Sequence, residues 1–167
     1  MEIYTVSFFG HRRIYDQLAV EKRLRELIEK LLREHSWVEF LVGREGDFDI
    51  MSASVVRQVR KTLYCDNASL IWILPYMKAE LRDNKKNLLE YYDNIEIDSE
   101  ASAAYFKNAI KIRNRRMVDR SQLVICYIDH NKGGAYTAVQ YAQKIGREVV
   151  NIADDLYTLN FNNGYIE

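Results

Sequence analysis

Proline, glycine and cysteine are scarce in this chain of 167 residues, which contains 1, 7 and 2 of them, respectively. So little proline and glycine argues against a loop-rich or all-β protein, because both residues concentrate in turns. Cys65 and Cys126 lie far apart, without a C-x-x-C pattern or a histidine at ligand spacing. We therefore expect reduced, packed thiols, and neither a disulfide framework nor a zinc site.

Net charge and long apolar runs are also missing. The 24 basic side chains equal the 24 acidic ones, so the global attraction that supports non-specific nucleic-acid binding is absent and the sequence argues against a nucleic-acid partner. No apolar run approaches the ~18 residues of a membrane span, and the start lacks the basic-then-apolar plan of a signal peptide. We predict a cytoplasmic protein without a membrane partner.

Apolar strands alternate with amphipathic helices along the chain. Strands are predicted at 3–9, 38–42, 68–74, 95–97, 123–128 and 148–152, and helices at 16–35, 49–63, 84–92, 103–120 and 136–145. Strands that are apolar throughout indicate a sheet covered on both faces. The fold class predicted is α/β, a three-layer Rossmann-like domain over 1–153 with a mainly parallel sheet, followed by an aperiodic tail over 154–167.

Three glycine-bearing loops follow predicted strands, and the carboxyl ends of parallel strands share one edge of a sheet. The first loop contains Gly10, His11 and Arg12. Here the glycine either makes a turn only or lets a ligand approach the backbone closely. The basic residues are either solvated or offer a titratable ring and a bidentate phosphate donor.

The second loop places Gly43 and Gly46 around a turn that opens a helix. Free N–H groups at such a helix start suit an anion. Asp49 is as consistent with a plain helix cap as with an acceptor for ribose hydroxyls.

The third loop pairs Gly133 and Gly134 at a helix start, with Thr137 in the first turn, which is typical of a phosphate cradle. Neither the Walker A spacing nor G-x-G-x-x-G occurs in the chain. A P-loop NTPase or an NAD dehydrogenase is therefore not expected.

The predicted helix before the third loop is strongly basic. Its cations are Lys107, Lys111, Arg113, Arg115, Arg116 and Arg120. A solvated or salt-bridged face is the default interpretation, and an inward Arg113 or Arg116 that grips phosphate is the alternative. Asp119, one turn from Arg115, is more typical of a structural partner than of a catalytic acid.

Four segments in order resemble a known superfamily. They are Phe8-Phe9-Gly10-His11-Arg12, Val42 to Asp49, the Arg-Asn-x-x-Met-Val-Asp segment from Arg113 to Asp119, and Gly133-Gly134. Together they resemble the YpsA-like branch of the SLOG superfamily, a Rossmann-like group that includes the LOG phosphoribohydrolases and the DprA/Smf proteins. The resemblance covers about residues 3–152, and it implies a nucleotide or nucleotide-derived ligand at the sheet edge.

The resemblance also bears on catalysis. In LOG enzymes a helix Arg and a P-G-G-x-G-T-x-x-E motif hold phosphate and supply an acidic residue for N-glycosidic cleavage. Arg113 matches that arginine, but Gln140 stands where the motif has Glu. Glutamine cannot accept a proton or stabilise a ribosyl cation with a negative charge, so hydrolysis of the LOG type is doubtful.

We predict a SLOG-type module that binds a nucleotide or a nucleotide-derived ligand, with no metal site, no certain cofactor and an expected homodimer. Residues predicted to bind the ligand are Gly10, His11, Arg12, Gly43, Gly46, Asp49, Arg113, Asn114, Gly133, Gly134 and Thr137. The alternative is a nucleoside monophosphate phosphoribohydrolase or N-glycosyl transferase, with Asp49, Asp119 or Arg113 as weak catalytic candidates. A DNA-associated protein that uses the 107–120 face is a third hypothesis, which zero net charge disfavours.

Overall fold

The computed structural model describes the backbone of residues 1–163, so the last four residues of the predicted tail, 164–167, lie outside the described residues. The strands are β1 (Ile3–Gly10), β2 (Trp37–Val42), β3 (Ala68–Leu74), β4 (Asn94–Ile97), β5 (Leu123–Tyr127) and β6 (Glu148–Asn151). The helices are α1 (Gln17–Glu34), α2 (Asp47–Leu63), α3 (Ala79–Tyr91), α4 (Ser99–Ala103), α5 (Phe106–Arg120), α6 (Gly134–Lys144) and α7 (Ile152–Asn163). Within 1–163 no helix combines the length and hydropathy needed to cross a bilayer.

The strands form one sheet in the order β4-β3-β2-β1-β5-β6, and every neighbouring pair is parallel. Helices cover both faces, because successive side chains of a strand point to opposite sides. Phe8 of β1 belongs to the larger core, beside α1, α2 and α7, whereas Phe9 belongs to a smaller core with Met117 of α5 and Val139 of α6. The predicted three-layer α/β fold is confirmed.

Helix α1 forms as its spacing predicts. The Asp16 carboxylate accepts the Ala19 N–H at 3.4 Å and caps the helix. Leu24, Ile28 and Leu31, at i, i+4 and i+7, are buried in the larger core. The amphipathic stripe therefore determines which side of this helix faces the sheet.

The stretch between β4 and β5 differs from the single helix predicted at 103–120. Asp98 accepts the Ala101 N–H at 2.8 Å and starts the short helix α4. Ala104 then adopts an extended conformation, and α5 begins at Phe106. An N-cap aspartate that was not recognised in the sequence explains the extra helix.

The predicted tail is largely helical, since α7 extends to residue 163. Ile152 is buried in the larger core, and Leu156, one turn later, packs against it. Asp155 accepts a hydrogen bond from Arg23 of α1 at 2.9 Å. Contact with α1 and β5 orders a segment that has little amphipathic pattern of its own.

Candidate functional site

The predicted loops meet at the carboxyl edge of the sheet, where the strand order reverses. Strands β2, β3 and β4 extend the sheet on one side of β1, whereas β5 and β6 lie on the other. Gly10 and Tyr127, the last residues of β1 and β5, are register partners. A cleft of about 460 Å³ opens here, which is where open α/β sheets bind ligands and is a usual volume for a small-molecule site.

Most of the residues predicted to bind a ligand line this cleft. They are Gly10, His11, Arg12, Gly43, Asp49, Arg113, Asn114, Gly133 and Gly134. Gly46 and Thr137 do not line it, and Asp119 lies in a separate groove. The structure thus brings the three loops together, and their part in binding stays a prediction.

Two of these glycines allow close packing inside the protein. A Cβ added at Gly10 would lie 2.4 Å from the Phe48 Cβ, far inside contact distance. One added at Gly43 would lie 3.1 Å from the guanidinium carbon of Arg113. A residue without a side chain is needed at both positions because Phe48 and Arg113 pack directly over the backbone there.

The first and second loops hold each other in place. The Asp47 N–H donates to the Arg12 carbonyl at 3.0 Å, and the Asp47 carboxylate accepts the Ile14 N–H at 3.4 Å. A Cβ at Gly46 would lie 2.6 Å from the Cα of Arg12, so the backbones touch. Gly46 therefore does not line the cleft but allows the first and second loops, which do, to pack against each other.

The third loop is open toward the cleft. Gly133 has φ 99°, a left-handed conformation that favours glycine, and an added Cβ would meet nothing within 4 Å. The nearest atom to a Cβ at Gly134 is the Asn114 Nδ2, at 4.0 Å. Among the residues that the structure describes, no side chain caps the start of α6, and the Thr137 hydroxyl donates to the Gly133 carbonyl at 3.2 Å. The start of α6 is thus an uncapped, positively polarised helix end beside open space.

Arg113 is buried in the cleft wall and is largely occupied by its own protein. Its Nη1 donates to the carbonyls of Gly43 and Ile73 at 3.3 and 2.8 Å. Its Nε donates to Asn114 at 3.0 Å, and its Nη2 donates to Glu45 at 3.3 Å. These bonds use most of the five guanidinium donors. Arg113 therefore joins α5 to β3 and to the second loop.

Asp49 is a buried carboxyl group at the back of the cleft. The N-cap of α2 is Gly46, so Asp49 is not the plain helix cap that the sequence allowed. It lies in the first turn of α2, where its carboxylate accepts the N–H of Glu45 in the preceding loop at 2.9 Å. Burial raises its pKa to about 6, although this N–H and the Arg113 charge oppose the rise. The Glu45 carboxylate in turn accepts a hydrogen bond from the Lys78 ammonium group at 2.8 Å. Burial thus outweighs the hydrogen bond and the nearby cations in setting the pKa of this carboxyl group.

The sequence reasoning left several cleft residues unassigned. They are Arg13, Glu45, Ile110, Lys132 and Ala135. Arg13 and Lys132 directly adjoin predicted binding residues, so loop position was a usable signal for both. Ile110 and Arg113 are three positions apart on α5, so helical spacing places them on the same face.

Two histidines and an aspartate form a cluster at the ends of β1 and β5. The His11 ring stacks on the His130 ring, with centroids 3.5 Å apart. The Asp129 carboxylate lies 2.6 Å from the His130 Nδ1 and 3.5 Å from the His11 Nε2. Burial lowers the pKa of His11, and the neighbouring His130 lowers it further, so a neutral His11 ring is favoured at neutral pH.

Asp119, the remaining catalytic candidate, lies outside the cleft, and so does Gln140. Asp119 accepts the Tyr141 hydroxyl and borders the separate groove beside β4. Gln140, at the position of the expected Glu, is exposed and donates to the Tyr136 hydroxyl at 2.6 Å. Neither side chain faces the space between the three loops.

A smaller basic groove adjoins the cleft. It has a volume of about 230 Å³ and is lined by the exposed Lys107, Lys111 and Arg115 of α5 together with the start of α6. Asn114 and Gly134 line both spaces. Cations on the outer side of α5 thus lie next to the uncapped helix end.

Comparisons with known proteins match the fold. No protein-family model and no curated protein matches this chain. DNA processing protein A from Streptococcus pneumoniae is similar with a TM-score of 0.61 and 19% identity over 88% of this chain. The chain spans 49% of that protein, about half of its length.

Two further solved structures are similar. DNA processing protein A from Helicobacter pylori gives a TM-score of 0.58 with 15% identity, over 94% of this chain and 73% of that one. The Chlamydomonas rheinhardtii Moco carrier protein gives 0.53 with 12% identity, over 98% and 87%. At these identities the comparisons establish the fold, which is the Rossmann-like fold that the SLOG resemblance implies.

One expectation about partners is wrong. The Helicobacter pylori structure concerns the binding of single-stranded DNA by that protein, so a chain with this fold does bind nucleic acid. The zero net charge of the whole chain does not show how charge is distributed over its surface. Local charge is the relevant quantity, and Lys107, Lys111 and Arg115 form a local basic surface.

Proposed function

We propose that this protein binds a phosphate-bearing small molecule, a nucleotide or a nucleotide derivative, in the cleft between β1 and β5. The observation that carries the proposal is the convergence of three separate loops on one cleft at the reversal of strand order. Each loop is distinguished in the sequence by its glycines and polar residues. Such crevices are the usual ligand sites of open α/β sheets.

The phosphate is proposed to lie at the start of α6. Gly133 and Gly134 leave room there, and the helix end is uncapped, so backbone N–H groups and the helix dipole favour an anion. Lys132 and Arg12, both exposed and on the cleft, supply positive charge. Ile110, which lines the cleft and is partly exposed, supplies an apolar surface for the remainder of the ligand.

Binding is favoured over cleavage by the state of the acidic groups. The carboxylates that line the cleft in the described residues are Glu45 and Asp49. Both already bond to Arg113, Lys78 or the loop backbone. A glycosidase needs an acid that reaches the leaving group and a second group that stabilises the sugar cation.

The test is a ligand screen with matched variants. Thermal shift and calorimetry would use nucleoside mono- and diphosphates, ADP-ribose, cyclic dinucleotides and inorganic phosphate. A ligand at about a hundred times its Kd stabilises the protein by about 2.7 kcal/mol. Lys132→Ala and Arg12→Ala should each weaken binding about tenfold, whereas Lys144→Ala, at the far end of α6, should not.

Two results would count against this proposal. Absence of a shift with every phosphate compound would remove the ligand class. Release of free base from a nucleoside monophosphate, abolished by Asp49→Asn, would favour the hydrolase instead.

A second candidate function is the binding of single-stranded nucleic acid. The basic groove on α5 shares Asn114 and Gly134 with the cleft, so successive phosphates of one strand could occupy both. The similarity to a protein that binds single-stranded DNA supports this candidate. Phosphate contacts from Lys107 and Lys111 would make the affinity strongly dependent on salt.

Fluorescence anisotropy with labelled oligothymidylate separates the two candidates. The double variant Lys107→Ala/Lys111→Ala should lower the affinity and reduce the salt slope by about 1.4, since each phosphate contact on a single strand contributes about 0.7. Lys22→Ala/Lys30→Ala on α1, across the sheet, is the charge-matched control. Equal binding by both double variants would exclude the α5 surface as the nucleic-acid site.

A further inference from the structure

The histidine cluster at the cleft has the composition of a metal site. His11 directly follows β1, and Asp129 and His130 follow β5. Since these strands are parallel neighbours, their ends hold the three side chains together although the sequence separates them widely. One ligand atom from each lies within 4.8 Å of the others.

A second observation concerns the buried nitrogen of His11. The His11 side chain is only 8% exposed, and its Nε2 has no hydrogen-bond partner among the described residues. Buried polar atoms are nearly always paired, and leaving one unpaired is costly. This atom points toward Asp129, whose carboxylate is 3.5 Å away.

We propose that His11, Asp129 and His130 bind a divalent first-row transition-metal ion, of which zinc is the best fit. Imidazole and carboxylate are common zinc ligands, and an ion would satisfy the His11 Nε2. Magnesium is a poor fit because it prefers oxygen ligands.

The ion-bound arrangement requires a rotation of one side chain. The two rings are stacked with planes 13° apart, and nitrogens of stacked rings do not point at a common centre. His130 is 57% exposed, so solvent leaves room for its ring to turn away from the stacked position while His11 stays fixed by burial. Asp129, at 29% exposure, lies between them.

Three protein ligands leave a coordination position open. Lys132, Gly133 and Gly134 follow His130 closely in the chain, and His11, His130 and these glycines all line the cleft. The open position would therefore accept a water or a phosphate oxygen, as in catalytic rather than structural zinc sites. Only this last step depends on the proposed nucleotide function.

Metal binding is tested first without any nucleotide. Tag-free, chelator-treated protein would be titrated with Zn²⁺ by calorimetry and with Co²⁺ by visible absorption. One ion per chain is expected for the wild type, and His130→Ala and Asp129→Asn should each weaken binding at least about tenfold. Both side chains are partly exposed, so these variants should fold. Mg²⁺ should not compete.

His35 provides a matched control. It is the remaining histidine of the three in the chain, and it stacks on Tyr4 at the opposite end of β1. His35→Ala should bind Zn²⁺ like the wild type. Equal Zn²⁺ binding by wild type and His130→Ala, or loss of binding in His35→Ala, would overturn the metal site.

The two proposals fail separately. If Zn²⁺ binds but no nucleotide raises the melting temperature, the result supports the ion site and counts against the proposed nucleotide function. A nucleotide that binds equally with and without Zn²⁺ supports the nucleotide function and excludes the ion as its partner. Tighter nucleotide binding with Zn²⁺, lost in His130→Ala, supports both.

Discussion

At the scale of the residue, two glycines of the cleft have opposite surroundings. A Cβ at Gly10 would collide with the buried Phe48, whereas one at Gly134 would meet only Asn114 at 4.0 Å. Gly10→Ala should therefore destabilise the protein by about 2–3 kcal/mol, as overpacking does. Gly134→Ala should leave stability unchanged or slightly raised, because alanine favours helix. Urea denaturation of both variants measures the difference, and equal stabilities would contradict this account.

Asp49 makes stability depend on pH in a particular direction. Its pKa is raised by burial from 3.8 to about 6, so the folded state holds the proton more tightly than the unfolded chain. The stability that protonated Asp49 contributes to the folded state is fully present below about pH 4 and is lost as the pH rises through 6. Two pKa units correspond to about 3 kcal/mol.

Asp49→Asn isolates this effect, because asparagine can still accept the Glu45 N–H. The free energy of unfolding of the wild type should fall relative to that of Asp49→Asn between pH 4 and 6.5. Chemical denaturation across this range measures the difference. A constant difference would mean that Asp49 is ionised throughout.

Arg113 shows why the sequence could not assign every side chain. A helix arginine matched a phosphate-binding position, but the guanidinium bonds to carbonyls of Gly43 and Ile73, 70 and 40 positions away. Backbone carbonyls carry no residue-specific signal. Only the approach of α5 to β2 and β3 could reveal that this charge is used internally.

At the scale of the element, α7 belongs to the domain by packing. Leu156 packs against the larger core, whereas Leu159 on the same helix is 54% exposed. Leu156→Ala should cost about 1–2 kcal/mol, and Leu159→Ala less than about 0.5 kcal/mol. Thermal denaturation tests this pair. Equal effects would contradict the assignment of Leu156 to the packed face, and two negligible effects would show that the helix adds little to the stability of the domain.

Local sequence signals predicted the bounds of the strongly patterned elements accurately and those of the weakly patterned elements less well. The run from Ala68 to Leu74 was predicted with the observed bounds, because it is apolar throughout and ends at Pro75. Helix α3 was predicted to begin five positions later than Ala79, and the non-helical Asn84 marks the place where the pattern changes. Short helices depend on neighbours as much as on propensity.

At the scale of the whole molecule, the net charge is zero but the charged side chains are unevenly distributed over the surface. Arg116 pairs with Asp98 and Glu100, and Arg120 pairs with Glu96, at the end of α5 near the sheet. These pairs neutralise much of the acidic stretch before α5. The cations near the cleft are left exposed at the other end.

Salt should therefore weaken ligand binding although the protein is neutral overall. Calorimetry with ADP between about 50 and 500 mM NaCl should show a severalfold loss of affinity, because surface charges are screened over this range. Lys132→Ala should bind more weakly and depend less on salt. An affinity independent of salt would contradict a role for the exposed cations.

The sequence by itself determined the alternation of strands and helices, the parallel sheet and the loops that meet at its edge, because hydrophobic period and glycine position are local properties. Only the tertiary structure decided what those loops do. In the folded protein Arg113 bonds to backbone carbonyls of other elements, and the start of α6 is uncapped. The fold also places His11 beside Asp129 and His130. These outcomes depend on which strand ends become neighbours, and that is a property of the complete fold.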